Sequence, residues 1–498
     1  MVASNPLFQG GLSMKKFSAT VVNDIWPEVA FFTAVATMVA TITEMKIHNL
    51  AINSALLTVL GTVLGLVISF RTSSAYERYQ DGRKMWTNIS IASRNIAQII
   101  WIHVPFERTY KDKTKMTITQ SVVEKKSMIN LVQAFSVAVK HSLRGETGVY
   151  FQDLYSLICF LPRYANAAGT GADMLPLWAA SEDDEYPLSG ARPPPPSREA
   201  TIAVPSSEDG KSSPNSWFRR KPSSRQNSMD PEKALADVQS HRPLGPARDP
   251  PPASIYDYFP FLRIFSIFVR PFRKSNKKYK RDAFGRKIKP SFSESNVPIE
   301  VAVYLNNYLA YCLNNGWLQP ALATGLMNNI ASLQDTMANL ERIGNTPLPF
   351  AYQAHLRMSL WLYLLFLPFQ VVSTMHYLII PGTAFASFLL LGFLEIGQEI
   401  ENPFGYDEND LDLDGFCLAI QRELHEITAH TTPEPSTFVF TSWNQPFAPA
   451  DRRSAEELTR DAEQSYQHAD HPDTEPGMAT IRRTLLKNWR DVDIITRQ

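Results

Sequence analysis

The sequence is poor in cysteine and carries no net charge. Only three of its 498 residues are cysteines, Cys159, Cys312 and Cys417, and they are widely spaced. An odd number of scattered cysteines excludes a disulfide framework and a zinc-type spacing, and it suits a reducing compartment or simple packing. The 49 basic and 49 acidic residues balance, so no overall electrostatic field favours nucleic acid as a partner, and we expect none.

Motifs of catalysis and secretion are also lacking. The sequence contains no phosphate-binding glycine loop, no nucleophile elbow and no metal-hydrolase pair, so we expect no enzymatic activity and no required cofactor. The first residues, MVASNPLFQGG, lack the basic region and apolar core of a secretory signal, and we expect none.

Charge is nearly absent from three long stretches. Residues 25–42 hold one charged side chain, Glu28, while residues 51–70 and 358–394 hold no Lys, Arg, Asp or Glu. A helix needs about 20 apolar residues to cross a bilayer. The first two stretches therefore predict one span each, and the third predicts two short spans with a turn at IIPGT, residues 379–383. The sequence indicates an integral, multi-pass membrane protein.

Basic residues around these stretches predict the orientation. Lys15 and Lys16 precede the first span, Arg71 and Arg78 follow the second, and the loop between the two spans holds a single lysine. Because cytoplasmic flanks are enriched in Lys and Arg, we expect both ends of the chain to be cytoplasmic. The second span is expected to continue as one long helix into the cytosol.

The composition divides the chain into five parts. A Pro/Ser-rich stretch without apolar periodicity cannot bury enough surface to fold. The predicted parts are a cytosolic N-terminal segment (1–20), the first membrane pair with cytosolic helices (21–180), a disordered insertion (181–296), further cytosolic helices with the second membrane pair and an acidic belt (297–430), and a mostly disordered tail (431–498).

Within the insertion, residues 259–290 combine aromatic residues with a dense Lys/Arg cluster. Such a stretch suits the anionic cytoplasmic leaflet, which would make membrane lipids a partner. The alternative is a solvated basic linker with a helix packed on its own domain.

Four stretches together resemble the bestrophin family of ion channels, in the broad form shared by bacteria, fungi and animals, and the chain resembles a fungal-type member. They are SFRTSSAYERYQDGRKMW (69–86), VPIEVAVYLNNYL (297–309), TPLPFAYQAHLRMSLWLYLLFLPF (346–369) and GFLEIGQEIENPFGYDENDLDLDGFC (392–417). The resemblance covers roughly 15–180 and 295–430.

The resemblance implies an all-α membrane protein with four transmembrane helices per subunit and a cytosolic helical bundle. It also implies a homopentamer with one axial pore, whose narrow apolar neck is lined by the second span and passes chloride or other small anions passively. Two alternatives stay open: a cation-selective channel of the same architecture, and a membrane scaffold with a vestigial pore.

The pore-lining residues are expected on the second span. Counting back from Arg71 by whole helical turns gives Val63, Val59 and Ala55 as the axis-facing positions. A shift of one position brings Leu64, Leu60 and Leu56 to the axis instead. Arg71 itself is expected to act on the electrostatics below the neck or as a structural residue.

A ladder of carboxylates follows the last span. Animal bestrophins hold a calcium ion just after an Asn-Pro-Phe-Gly-like turn, and the resemblance carries this site to Asp407 and Asp410 as side-chain ligands, with Glu399 and Asn402 offering carbonyls. Oxygen ligands at this density suit calcium. However, Asn409 interrupts the acidic run, and NDLDLDG resembles the bacterial branch, which lacks this calcium dependence. The structural alternative is that Asp412 or Asp414 caps the helix FCLAIQRELHEI.

Overall fold

The computed structural model of the protein describes residues 20–53, 55–109, 115–146, 148–162, 164, 244–249, 296–407, 409–448, 451–460, 465–467, 476–487, 493–494 and 497. The chain divides into two compact units, Met1–Ile427 and Thr428–Gln498. Apart from residues 244–249 and 296, the predicted disordered insertion, including the basic stretch at 259–290, lies outside the described residues.

Regular secondary structure in the described ranges is helical, with β-type contacts limited to two isolated bridges. The first unit contains α1 (Val22–Glu44), α2 (Ala55–Gln98), α3 (Ile118–Leu143), α4 (Gln152–Ile158), α5 (Val297–Asn314), α6 (Pro320–Asn345), α7 (Phe350–Met375) and α8 (Ile379–Glu399). Helix α9 (Leu413–Ala429) begins in this unit. The second unit contains the short helices α10 (Pro435–Val439), α11 (Ala455–Thr459) and α12 (Met478–Lys487). The predicted all-α fold class is confirmed.

The apolar stretches form helices that are long enough to cross a bilayer. Candidate spans are Val22–Glu44, Val59–His103 and Phe350–Glu399. The last of these consists of α7 and α8, which are separated by a 3-10 turn at His376–Leu378. The apolar run at 358–394 therefore contains two helices, as predicted.

The position of the turn between α7 and α8 was predicted wrongly. The sequence IIPGT, residues 379–383, begins α8, and the chain reverses just before it, where His376 adopts a positive φ of 49°. Pro381 fits inside α8 because the amides of a helix's first turn have no intrahelical acceptor, so a residue without N–H costs nothing there.

Helix α2 begins in an apolar stretch and continues well beyond it as one long helix, as predicted. Its 44 residues correspond to a length of about 66 Å. The N-terminal half contributes Leu64 and Ile68 to an apolar cluster with α1, α7 and α8, while the C-terminal half contributes Trp86 and Ile89 to a large cytosolic core with α3, α5 and α6. One rigid element thus spans both cores.

A buried lysine closes the end of this long helix. After Gln98 the chain forms a π-helical turn, Ile99–His103, and Lys125 on α3 donates to the carbonyls of Trp101 (3.1 Å) and Val104. Burial lowers the pKa of Lys125 to about 8. The ammonium satisfies carbonyls that a helix C-terminus leaves without partners.

The predicted cytosolic helices are present, with shifted boundaries. Helix α3 begins at Ile118 because Thr117 and Gln120 form a capping box. Helices α5 and α6 are separated at Gly316, as expected, and this glycine has a positive φ of 71°. These helices surround the cytosolic part of α2 and so position the residues described next.

Candidate functional site

The membrane part of α2 has one face inside the protomer and one face outside it. Val59 and Val63 are 62% and 53% exposed, whereas Leu64 is 8% exposed and packs in the apolar cluster with α1, α7 and α8. Leu60 is also exposed. Ala55 begins the helix, and its side chain, like that of Leu56, lies outside the described residues. The alternative register through Leu64 would therefore turn a buried residue to the axis.

The outer face of α2 differs in composition from the outer faces of α7 and α8. Its exposed residues combine small and hydroxyl side chains with larger apolar ones, in the order Val59, Leu60, Thr62, Val63, Gly65, Leu66, Ser69 and Phe70. A Cβ added at Gly65 would meet no atom within 4 Å. On α7 and α8 the exposed apolar residues are large, among them Trp361, Phe366, Phe385 and Phe393. The outer face of α2 thus includes a glycine and two hydroxyl side chains among its apolar residues.

Arg71 lies inside the protomer and not on this outer face. It is 3% exposed, its Nη1 donates to the carbonyl of Leu394 (3.1 Å), and its Nη2 lies 3.9 Å from a carboxylate oxygen of Glu401. The side chain therefore joins α2 to the cytosolic end of α8. Arg71 and Val63 do not share a face.

Arg78 makes a similar contact two turns further along α2. Its guanidinium donates to the carbonyls of Glu401 (3.1 Å), Thr346 (2.5 Å) and Ile343. The last two carbonyls belong to the C-terminal end of α6, where helix carbonyls lack intrahelical donors. Arg78 therefore caps α6 and ties it to the chain that follows α8.

Glu401 adds further hydrogen bonds to these contacts. Its carboxylate accepts from the backbone N–H of Leu348 (2.6 Å) and from the side-chain amide of Gln353 (2.9 Å). Three of the four stretches quoted above, 69–86, 346–369 and 392–417, thus meet at one buried point. These side chains connect the three stretches to one another.

The basic residues of α2 that stay exposed lie further into the cytosolic part. The guanidinium of Arg83 lies 4.4 Å from the ring centroid of Phe416, and Lys84 pairs with Asp81 at 3.0 Å. Glu77 is exposed on the same part of α2. Arg71 and Arg78 donate to carbonyls of other elements of the protomer. The exposed surface of this part of α2 therefore carries both acidic and basic groups.

The acidic loop, residues 400–407 and 409–412, links α8 to α9. Asp412 is the N-cap of α9: its Oδ1 accepts from the N–H of Gly415 at 2.9 Å. A Cβ at Gly415 would lie 2.4 Å from Oδ2 of Asp412, so a side chain at this position would displace the capping carboxylate. Of the two predicted caps, Asp412 is the one that caps the helix.

Asp414 instead pairs with two basic residues of α3. It accepts from Arg144 at 2.9 Å and from Lys140 at 3.0 Å. Burial would raise the pKa of Asp414, but the hydrogen bond from Arg144 and the charges of Lys140 and Arg144 outweigh it and hold that pKa below its usual value. Asp414 thus holds the start of α9 against the C-terminal end of α3.

Two of the four predicted calcium-binding residues accept hydrogen bonds through their side chains within the protein. Oδ2 of Asp410 accepts from the N–H of Asp407 at 2.8 Å, and Oε1 of Glu399 accepts from the side chain of Asn409 at 2.7 Å. Asn402 is exposed. Among the described residues, no three His, Cys, Asp or Glu side chains come together as a metal site. Calcium prefers six to eight oxygen ligands, whereas the oxygens of Asp410 and Glu399 named above accept hydrogen bonds within the protein. The calcium site stays a prediction.

Asp410 has an unusual environment for a carboxylate. Burial, together with the neighbouring carboxylates of Asp407 and Glu399, raises the pKa of Asp410 to about 7, although the hydrogen bond from the Asp407 amide works in the opposite direction. Its protonation state therefore changes near neutral pH.

A second buried polar cluster lies on the cytosolic side, and sequence reasoning missed it. Lys140 contacts Asp153 (2.5 Å) and Asp414, and the two ring nitrogens of His141 contact Glu146 (2.5 Å) and Asp153 (3.0 Å). The available signal was three basic residues, Lys140, His141 and Arg144, that follow the uncharged run 128–139. Their acidic partners lie up to 274 residues away along the chain.

A family model described as bacterial/fungal bestrophin matches residues 9–178 and 267–426 of this chain. The chain belongs to the bestrophin family. All four stretches that carried the resemblance lie within the two matched ranges. A bestrophin whose helices are long and apolar enough to cross a bilayer is a membrane protein.

Several bacterial relatives are similar to this bestrophin over part of its length. Proteins named voltage-dependent anion channel-forming protein are 37% identical over 133 residues in Synechocystis, 39% over 142 residues in Nostoc and 33% over 131 residues in Escherichia coli. These matches cover 27%, 28% and 26% of this chain, and 43%, 45% and 43% of the relatives. The chain thus spans less than half the length of the curated relatives that it matches.

A solved bestrophin homologue from Klebsiella pneumoniae is similar to 83% of this chain over its whole length, with a TM-score of 0.46 and 17% identity. A likeness of that size carries no argument about function.

Proposed function

We propose that this bestrophin is a subunit of a homopentameric channel that passes chloride and other small anions passively. The observation that carries the proposal is the outer face of α2, where small, hydroxyl and apolar side chains alternate at membrane depth. The names of the bacterial relatives, as anion channel-forming proteins, support the choice of ion.

One protomer cannot enclose a pathway with a single outer face. Five copies related by one axis place five identical α2 faces around a common hole. Val59 and Val63 then form apolar rings, at which an ion sheds part of its water and which can gate by dewetting. The remaining exposed faces contact lipid, and both termini lie on the cytoplasmic side.

Cysteine accessibility at neighbouring positions tests the proposed lining. Val63→Cys, reconstituted in a planar bilayer in a background in which Cys159 is replaced by Ser, should lose most of its current when a charged methanethiosulfonate is added. Leu64→Cys is the matched control, because Leu64 is buried within the protomer, and its current should be unchanged. Equal block of both variants, or of neither, would contradict the proposed register.

A cation-selective channel of the same architecture is the second candidate. It is favoured by the placement of Arg71 and Arg78 inside the protomer and by the exposed Glu77 and Asp81 on α2. The sign of the reversal potential in asymmetric potassium chloride decides between the two. No current under any condition would favour a scaffold with a vestigial pore.

A further inference from the structure

Six residues of the insertion, 244–249, lie as an extended segment on the cytosolic core; we call them the strap. The N–H of Gly245 donates to the carbonyl of Tyr150 at 2.8 Å, and the N–H of Gln152 donates to the carbonyl of Gly245 at 3.1 Å. These two bonds form a parallel β-bridge between Gly245 and Phe151. The strap is therefore held by main-chain pairing, the mode in which a binding surface adds a strand-like peptide.

The strap also completes the coordination of a buried ammonium group. Lys140 is 1% exposed, and an ammonium has three N–H donors to satisfy. Two of them reach Asp153 and Asp414, and the third donates to the carbonyl of Ala247 in the strap at 3.1 Å. Without the strap, one donor of a buried charge would lack its protein acceptor, which is costly.

The far end of the strap contacts the acidic loop. The N–H of Asp249 donates to the hydroxyl oxygen of Tyr406 at 3.0 Å, and the guanidinium of Arg248 lies 6.0 Å from the ring centroid of Tyr406. Tyr406 in turn donates to Glu146 and lies 4.2 Å from the guanidinium of Arg144. The strap thus bridges the start of α4, the end of α3 and the chain that follows α8.

We propose that Tyr150–Phe151, Lys140 and Tyr406 form a built-in peptide seat, and that the strap is its ligand. The strap lies between the two ranges that match the family model, 9–178 and 267–426, so the seat serves a segment outside the shared family sequence. Its occupancy ties the insertion to the acidic loop, at the cytosolic end of α8. Release of the strap from the seat would therefore change the contacts of the acidic loop that follows α8.

Backbone hydrogen exchange tests the seat without any measurement of current. Gln152 is the first residue of α4, and the amide of a first helical residue has no intrahelical acceptor. Its protection therefore depends on the strap carbonyl. We expect the Gln152 amide of the full-length protein in detergent to exchange at least ~10-fold more slowly than an unstructured amide, a protection factor worth ~1.4 kcal/mol.

Two variants locate the source of this protection. Deletion of residues 187–252 removes the strap, and with it the carbonyl of Gly245 that accepts from the N–H of Gln152, so exchange at Gln152 should rise toward the unstructured rate. Deletion of 187–240 shortens the insertion but keeps the strap, and exchange at Gln152 should stay as in the wild type. Fast exchange in the wild type, or equal protection in the wild type and the 187–252 deletion, would overturn the proposal.

A cysteine pair gives independent evidence. Phe151→Cys with Gly245→Cys should form a disulfide under mild oxidation, since residues paired in a β-bridge lie within the reach of a disulfide. The matched pair Phe151→Cys with Gly210→Cys should form at least about 10-fold less, as measured by mass spectrometry of the digested protein. Equal yields from both pairs would show that residue 245 has no fixed seat.

Discussion

At the scale of single residues, several basic side chains of this bestrophin are used inside the protomer. Arg71, Arg78, Lys125 and Lys140 each donate to backbone carbonyls, and Lys140 also pairs with two carboxylates. A buried charge is tolerated only when its donors are satisfied and its charge is compensated. These residues therefore act as joints between helices that are distant in sequence.

The raised pKa of Asp410 predicts a pH-dependent stability. The pKa is 3.8 in the unfolded chain and about 7 in the folded protein. The stabilising contribution is therefore fully present below about pH 4 and is lost as the pH rises through 7. Asp410→Asn cannot ionise, so at pH 8 its melting temperature should exceed that of the wild type by about 2 °C or more. The difference should shrink by pH 5, and a difference that is independent of pH would contradict the raised pKa.

The same variant tests the calcium expectation. If Asp410 binds calcium, micromolar calcium raises the melting temperature of the wild type by mass action and leaves Asp410→Asn unchanged. Asp412→Asn is the control, because Asp412 caps α9 and Asn is an equally good cap. A melting temperature of the wild type that does not respond to calcium would assign Asp407 and Asp410 to the loop alone.

At the scale of elements, the end of α6 and the chain after α8 are held to α2 by the guanidinium of Arg78. It donates to three carbonyls, two of which close α6. Hydrogen bonds from a charged donor contribute more than neutral ones. We infer that α2, α6 and α8 move as one body at their cytosolic junction.

Arg78→Ala should therefore lower the melting temperature by about 5 °C, since it leaves three carbonyls without their donor. Arg83→Ala is the matched control on the same helix. Arg83 lies on the ring of Phe416 and is exposed, so its loss should cost less than about 2 °C. Equal losses in thermal denaturation of the two purified variants would remove the special role of Arg78.

At the scale of the whole molecule, the insertion contacts the folded unit through the strap as far as the described residues extend. The two apolar cores and the outer face of α2 lie outside the insertion. We therefore expect subunit assembly to be independent of residues 187–252.

Deletion of 187–252 should leave a complex of five subunits, because it removes none of the α2 face that we propose to surround the axis. Native mass spectrometry in detergent measures this directly, with the 187–240 deletion, which keeps the strap, as the control. Pentamers in the control and smaller species in the longer deletion would show that the strap also serves assembly.

The sequence by itself determined which segments are helices and which are apolar enough to cross a membrane, because apolar runs, caps and breakers act over a few residues. The long α2 helix and the α5–α6 pair follow from such local signals, which also limited the cap of α9 to Asp412 or Asp414. The turn between α7 and α8 was predicted too late in the chain, because the sequence alone does not show that Pro381 lies in the first turn of α8. Proline is compatible with the first turn of a helix but breaks a helix further in.

Only the tertiary structure decided which way each side chain faces. Counting eight residues back from Arg71 leaves a rotation of about 80°, whereas seven residues leave about 20°, so Leu64 shares the buried face of Arg71 and Val63 does not. Arg71 faces inward, where it donates to the carbonyl of Leu394 on α8, 323 residues away. Lys140 donates to the carbonyl of Ala247 in the strap, 107 residues away. Contacts at such separations depend on how helices pack, and local periodicity contains no information about them.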